Sequence, residues 1–258
     1  MNRGQALRDR AAFYLVLLGL WELAGRWVGP ELIGTPLLVA RHVGAWLAEG
    51  VLAAQVGYTL VAAFAGFLIG GVPGLLLPLV LRRRPFLSSV LGPFIVIGYG
   101  LPKVALIPLF ILWFGIGIWS KVALVASVSF FLVYFSMAEG MRAVEPGLLR
   151  MARVSGASEA QILRTIVLPS SLPFVFQAVQ LALPLSIGGA AVAELISSNR
   201  GLGYLIQSSA ANFEISGALA AVAALAAVVA LTNVAVSAAE AHLLSWRPRL
   251  AADTPQVI

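Results

Sequence analysis

Few side chains here can do chemistry, and most of those stand inside or beside long apolar runs. Lys103 follows Pro102 in the middle of one such run. A cation at membrane depth is costly to hold. It faces a cavity, a partner or an anion, unless it snorkels to a shallow position or pairs with a carboxylate. Glu194 comes late in another run, directly after Ala190–Ala193, where it can pair with a cation, shape a gate or serve structure alone. Gln177 and Gln180 stand three apart on one helix face, suited to lining a path or to bonding a neighbouring helix. Glu22, between Trp21 and Trp27, fits a membrane-interface residue better than a proton relay.

Enzymatic chemistry lacks its parts. His42 and His242 are far apart and no H-E-x-x-H pattern occurs, so a metal site has little support. Cysteine is absent, which removes disulfides and thiolate ligands. No G-x-S-x-G elbow appears. The G-x-G spacings at Gly98–Gly100, Gly115–Gly117 and Gly201–Gly203 lack a third glycine. No G-x-x-x-x-G-K-[ST] phosphate loop exists, because neither Lys103 nor Lys121 follows a glycine.

The elements that must position these residues belong in lipid. Of 258 residues 60% are apolar and only 11% charged, which a soluble domain of this size would not carry on its surface. A hydrocarbon layer of about 30 Å needs roughly 20 apolar helical residues. Six segments qualify, near Ala11–Val28, Ala54–Leu81, Phe86–Gly117, Val122–Met137, Ser170–Ile196 and Ile215–Ala239. They are expected to be helices, because lipid offers backbone groups no water and runs such as Ala218–Leu231 lack the alternation of a barrel strand. The fold class expected is therefore all-α: a polytopic membrane protein with six transmembrane helices and both termini cytoplasmic. Five spans follow the first, so an uncleaved first helix is expected despite its likeness to a secretory signal.

The sidedness of charge supports this topology. With the N-terminus inside, the inner loops hold Arg3, Arg8 and Arg10, then Arg82, Arg83 and Arg84. They also hold Arg142, Arg150, Arg153 and Arg164, then Arg247 and Arg249, making twelve of the 17 basic residues. The net charge of +6 is thus an orientation signal, and no nucleic-acid partner is expected.

Pro85 to Ser120 as one straight helix would stretch about 54 Å. Gly98, Gly100 and Pro102 stand in its middle, so a broken third span is expected, its loosened backbone lining a cavity with Lys103 at the break. Pro102, Lys103, Gln177, Gln180 and Glu194 are accordingly the candidates for a translocation path. Val39, Val43, Trp46 and Leu47 recur at helical spacing and suggest a short interfacial helix. Gly66, Gly70 and Gly74 form a small-residue face, suited to packing within one subunit or between subunits. No repeat or linker divides the chain, so residues 1–258 are expected to form a single transmembrane domain.

The longest inner loop, 139–169, reads as two short helices joined by a turn. Pro146 suits a first helical position. Leu148, Met151, Ala152 and Ser155 then share one face, with Arg150 and Arg153 elsewhere. Gly156 can stop that helix in a left-handed conformation. Ser158 and Gln161 have capping-box spacing, and Ile162, Leu163, Ile166 and Val167 give a second helix its apolar side before Pro169 opens the next span.

The stretch Met151-Ala152-Arg153-Val154-Ser155-Gly156-Ala157-Ser158, with Ile166-Val167-Leu168-Pro169, resembles the EAA loop of binding-protein-dependent ABC importer permeases. That loop reads Glu-Ala-Ala, three residues, Gly, nine residues, Ile and shortly afterwards Pro. Gly156 to Ile166 matches in spacing; Arg150 and Met151 replace the Glu and first Ala, and Ala152 keeps its identity. Ile107-Pro108-Leu109-Phe110-Ile111-Leu112-Trp113-Phe114-Gly115-Ile116-Gly117 resembles the third span of the nitrate, sulfonate and taurine branch. Ala193-Glu194-Leu195 followed by Gly201-Leu202-Gly203-Tyr204-Leu205-Ile206 resembles its fifth span and outer loop.

The likeness covers roughly 55–246 and implies a type I ABC importer permease fold in a bacterial inner membrane. It implies that this chain is no enzyme and carries no cofactor: ATP and magnesium would sit on partner ATPase subunits. A second permease copy, most simply in a homodimer, and a soluble or lipid-anchored substrate-binding protein would complete the machine within membrane lipid. The coupling loop to the ATPase would comprise Arg150, Met151, Ala152, Arg153, Ser155, Gly156, Ala157, Ser158, Glu159, Ile166 and Pro169. The branch's solutes are nitrate, sulfonates such as taurine, other small organic anions and thiamine-precursor pyrimidines, and Lys103 favours an anion. The competing expectations are a secondary transporter acting without an ATPase, which should show two related halves, and an intramembrane enzyme, which would need a catalytic cluster.

Overall fold

A computed structural model describes residues 3–243, and no strand occurs among them. Trp246, Arg247 and Arg249 lie outside the described residues, as do the side chains of Arg3 and His242. The helices are α1 (Arg3–Val28), α2 (Pro30–Ile33), α3 (Pro36–Ala48), α4 (Val51–Leu81), α5 (Pro85–Gly100) and α6 (Ile107–Phe114). Then come α7 (Ile118–Arg142), α8 (Pro146–Val154), α9 (Glu159–Ile162), α10 (Leu168–Ile196), α11 (Leu202–Ala211) and α12 (Ile215–Leu243).

Five helical stretches are long and apolar enough to cross a membrane, and the bent pair α5 and α6 makes a sixth span. The third span is therefore broken, as expected. Its break has a local cause: Pro102 lacks an N–H and crowds the residue before it, so Leu101 leaves the helix at φ −66°, ψ 134°. A short 3-10 turn, Lys103–Leu106, then leads into α6.

The chain packs as two compact units. The first gathers the chain up to Ala65, Pro102–Val125 and Ile187–Val229. Its apolar centre joins Ala62, Ala63, Val125, Ile187 and Ala190, and a second cluster joins Leu52, Leu202, Leu205, Ala221 and Ala224. The expected amphipathic helix is α3, whose first turn is capped from two sides. Thr35 Oγ1 accepts the Leu38 N–H at 3.3 Å, and Glu22 accepts the Leu37 N–H at 3.2 Å while holding Arg26 at 2.8 Å.

The second unit gathers Gly66–Leu101, Ala126–Ser186 and the chain from Ala230. Here the small-residue face of α4 meets α7 of the same chain. A Cβ on Gly70 would collide with the carbonyl of Ala126, and one on Gly74 would lie 3.2 Å from the Tyr134 nitrogen. Ser129 and Ser186 share a buried hydrogen bond of 3.0 Å, linking α7 to α10.

Candidate functional site

Two polar constructions stand out, one in each unit. In the second unit the inner loop forms a tight elbow. Glu145 precedes α8, and Pro146 occupies its first position, where the missing N–H is no loss. At the other end the chain reverses through a Schellman closure: the Gly156 N–H donates to the Arg153 carbonyl and the Ala157 N–H to the Ala152 carbonyl, both at 3.0 Å. Gly156 sits at φ +80°, which L side chains rarely adopt. Nothing lies within 4 Å of a Cβ placed there, so the glycine answers to backbone conformation and not to crowding.

Ser158 then opens α9 with a complete capping box: its hydroxyl accepts the Gln161 N–H at 3.3 Å, and its own N–H donates to Gln161 Oε1 at 2.8 Å. Glu159 clasps the turn, taking the Arg153 guanidinium at 3.1 Å and lying 3.7 Å from that of Arg82, just past the end of α4. Ile162 and Val167 are buried and anchor the elbow. Arg150, Ser155, Ser158 and Pro169 are exposed, and Ala152, Ala157 and Ile166 are half-buried.

The structure shows which face of α8 is covered and corrects the expectation for the second arm. The face of α8 turned toward this chain carries half-buried Leu149 and Ala152, whereas Leu148 is exposed and Met151 and Val154 are 62% and 91% exposed. An apolar stripe on a nine-residue helix marks a surface to be covered, not which body covers it. The second arm is also not a separate helix: α9 runs through a π turn, Leu163–Val167, straight into α10. Pro169 has no N–H to offer Thr165, and the Leu168 N–H reaches back five residues to the Leu163 carbonyl instead.

The first unit holds a buried polar hub. The opening N–H groups of a helix lack partners within it, and α11 finds three outside. Gly201 donates to Gln55 Oε1 at 2.5 Å, Leu202 to Thr59 Oγ1 at 2.9 Å and Gly203 to Glu194 Oε2 at 2.9 Å. The Thr59 hydroxyl in turn donates to Glu194 Oε2, also at 2.9 Å. Both glycines are needed for this approach: a Cβ on Gly201 would overlap the Glu194 carboxylate, and one on Gly203 the Ala191 carbonyl. Nearby, fully buried Lys121 donates to the Ile116 carbonyl at 2.5 Å and to the Ser197 carbonyl just beyond α10, where a cation suits the helix end.

The candidate path residues are thus scattered. Pro102 is exposed and Lys103 half-buried at the break. Gln177 is exposed, while Gln180 donates to Glu240 of α12. Glu194 is 1% exposed and serves the hub. Gln55, Thr59 and Lys121 went unnoticed in the sequence; the only pointer to them was the Gly201-Leu202-Gly203 spacing, which here seats a helix on a carboxylate. Among the described residues no group of three or more His, Cys, Asp or Glu is placed to hold a metal ion.

Known proteins are similar to this chain. A family described as "Binding-protein-dependent transport system inner membrane component" matches residues 62–246. The chain is 30% identical over 251 residues to the formylaminopyrimidine transport permease protein ThiX of Halalkalibacterium halodurans, covering 96% of this chain and 100% of that one. It is 32% identical to the riboflavin transport system permease protein RibX of Chloroflexus aurantiacus, over 90% of this chain and 87% of the relative. It is likewise 32% identical to the taurine transport system permease protein TauC of Escherichia coli, over 76% of this chain and 70% of the relative. Inward-facing MetNI, a methionine ABC transporter, has a similar fold, with a TM-score of 0.61 at 21% identity over 79% of this chain and 97% of that one.

These relatives are permease subunits, which sets aside both the transporter acting alone and the intramembrane enzyme; ATP hydrolysis belongs to a separate subunit. The chain belongs to the binding-protein-dependent family of inner-membrane components, as the multi-pass permease subunit of an ABC importer that works with an ATPase and a substrate-binding protein.

Proposed function

We propose that two copies of this chain enclose a pore for a small solute, and that the elbow at 150–159 takes the stroke of the ATPase. The observation that carries this reading is the elbow itself: a hydrogen-bonded turn presenting exposed Met151 and Val154 beside Arg150. An apolar pair beside a cation suits an acidic-rimmed groove on the ATPase. Ser155, Gly156, Ala157, Ser158 and Glu159 hold the shape, while Ile166 and Pro169 join it to the span. ATP and magnesium act on the ATPase pair, whose closure favours the outward-facing pore. We propose 1–258 as one transmembrane domain.

For the solute, we favour a small anion such as a sulfonate, taurine or nitrate, entering past Pro102 and Lys103. The name of the taurine relative supports an anion, as does a half-buried ammonium at the broken span. A thiamine-precursor pyrimidine is the second reading, favoured by the full-length match to the formylaminopyrimidine permease. The test is uptake by liposomes holding this chain, its ATPase and its binding protein. Taurine uptake without formylaminopyrimidine uptake supports the first reading, and the reverse overturns it. Disulfide capture of the ATPase by Val154→Cys tests the elbow; a Val154→Cys permease that couples normally yet captures nothing would remove it from the interface.

A further inference from the structure

Three arginines in a row close the corner between α4 and α5, and they part ways. Arg82 turns to Glu159 of the elbow at 3.7 Å. Arg83 and Arg84 are exposed, and neither forms an ion pair or a side-chain hydrogen bond among the described residues. They stand over a recess of about 510 Å³ whose other walls are Val80, Pro85, Phe86 and Leu87. Val80 and Phe86, at the ends of two spans, are 52% and 81% exposed. Two unpaired guanidiniums beside apolar walls at a span terminus fit an amphiphile: an anionic head for the arginines, acyl chain for the apolar side. Arg82 ties this corner to the elbow, and the arginine bias puts both at the inner leaflet, where anionic lipids attract juxtamembrane basic groups.

We propose that the α4–α5 corner binds the phosphate of an anionic phospholipid through Arg83 and Arg84, with Phe86 and Val80 against its acyl chain. A free anion would use only the arginines, and an acidic protein would not seat on residues that end in the hydrocarbon. Arg83 also borders a second cavity, of about 490 Å³, shared with Arg82, Arg153 and Glu159. Occupancy of the corner therefore bears on the base of the elbow.

The experiment uses the full-length permease with its ATPase, in nanodiscs of phosphatidylcholine with or without phosphatidylglycerol, and reads lipid retention by native mass spectrometry together with ATPase rate. Phosphatidylglycerol should be retained by the wild type and by Arg41→Gln, an exposed arginine of the first unit that serves as control. R83Q/R84Q should retain it roughly thirtyfold more weakly, the combined effect of two basic residues at a membrane surface. Phe86→Ser, on an exposed side chain, should weaken phosphatidylglycerol binding while leaving both arginines in place. Undiminished retention by R83Q/R84Q overturns the proposal. So does inorganic phosphate displacing the lipid at equal concentration, which would make the corner a free-anion site. Loss of the ATPase from R83Q/R84Q with lipid retained would make it a protein contact and overturn it equally.

Discussion

Thr59 and Glu194, 135 positions apart in sequence, are joined by a hydrogen bond of 2.9 Å from hydroxyl to carboxylate in the buried hub of the first unit, and the same threonine oxygen accepts the first N–H of α11. One hydroxyl thus joins α4, α10 and α11.

Replacing Thr59 by Val keeps its shape and removes both bonds. A buried donor and a buried acceptor left without this partner cost about 1–3 kcal/mol. Thr59→Val should lower the unfolding temperature in detergent by several degrees, and Glu194→Gln should add less in the Thr59→Val background than alone, because the two changes strike one bond. Full additivity would show that they act separately.

Gly203 and Gly188 should respond in opposite directions. A methyl at Gly203 meets the Ala191 carbonyl, whereas one at Gly188 in α10 meets nothing within 4 Å. Gly203→Ala should destabilise the protein and free α11, read by faster labelling of a cysteine placed at Tyr204. Gly188→Ala should stabilise by about 0.5–1 kcal/mol, the ordinary gain for alanine over glycine within a helix. Equal melting curves for the two variants would contradict the close approach.

At Gly156 the demand is a left-handed backbone in open space. Asn visits that conformation readily and a β-branched residue does not. Gly156→Asn should therefore keep substrate-driven uptake near the wild-type level. Gly156→Val should reduce uptake per ATP hydrolysed about tenfold, the equivalent of roughly 1–2 kcal/mol of backbone strain in the elbow. Vesicle uptake measured beside ATPase rate checks both; a valine variant that transports normally would show that the turn's shape is immaterial.

Glu159 should matter more to coupling than to stability. Its pairs with Arg153 and Arg82 are half exposed, and such pairs contribute about 0.2–1 kcal/mol. Glu159→Ala should shift the melting temperature little, and the small shift should vanish in high salt. The ratio of uptake to hydrolysis should nevertheless fall, because the turn loses its clasp. A large, salt-independent melting shift would assign Glu159 a folding role instead.

The features readable from the chain alone were those decided within a few residues. Apolar runs marked every span, since lipid admits only long helices there, although α1 begins eight residues before Ala11 and the fifth span's helix reaches back to Glu159. The break at Pro102 was legible because a proline constrains its own neighbour, and the turn at Gly156 and Ser158 because caps are local hydrogen-bond chemistry. The hub was not legible: nothing near Thr59 announces Glu194, and a carboxylate late in a span resembles an interfacial residue until a third helix arrives to meet it. Pro169 misled for a related reason. A proline marks a lost hydrogen bond, but whether the helix ends or widens into a π turn depends on what packs around it, here buried Ile162 and Val167. On α8 the apolar stripe was visible and its destination was not.

The backbone closure and the capping box of the elbow lie within five residues, from Ala157 back to Ala152 and between Ser158 and Gln161, and the Arg153–Glu159 clasp spans only six. Its form is thus intrinsic to the chain, settled when the permease folds. Backbone ordering, about 1–2 kcal/mol per residue, is consequently complete before any encounter, and little of the association energy of a docking protein is lost to immobilising a floppy segment. A preorganised knob of this kind can be gripped and released in every cycle without melting.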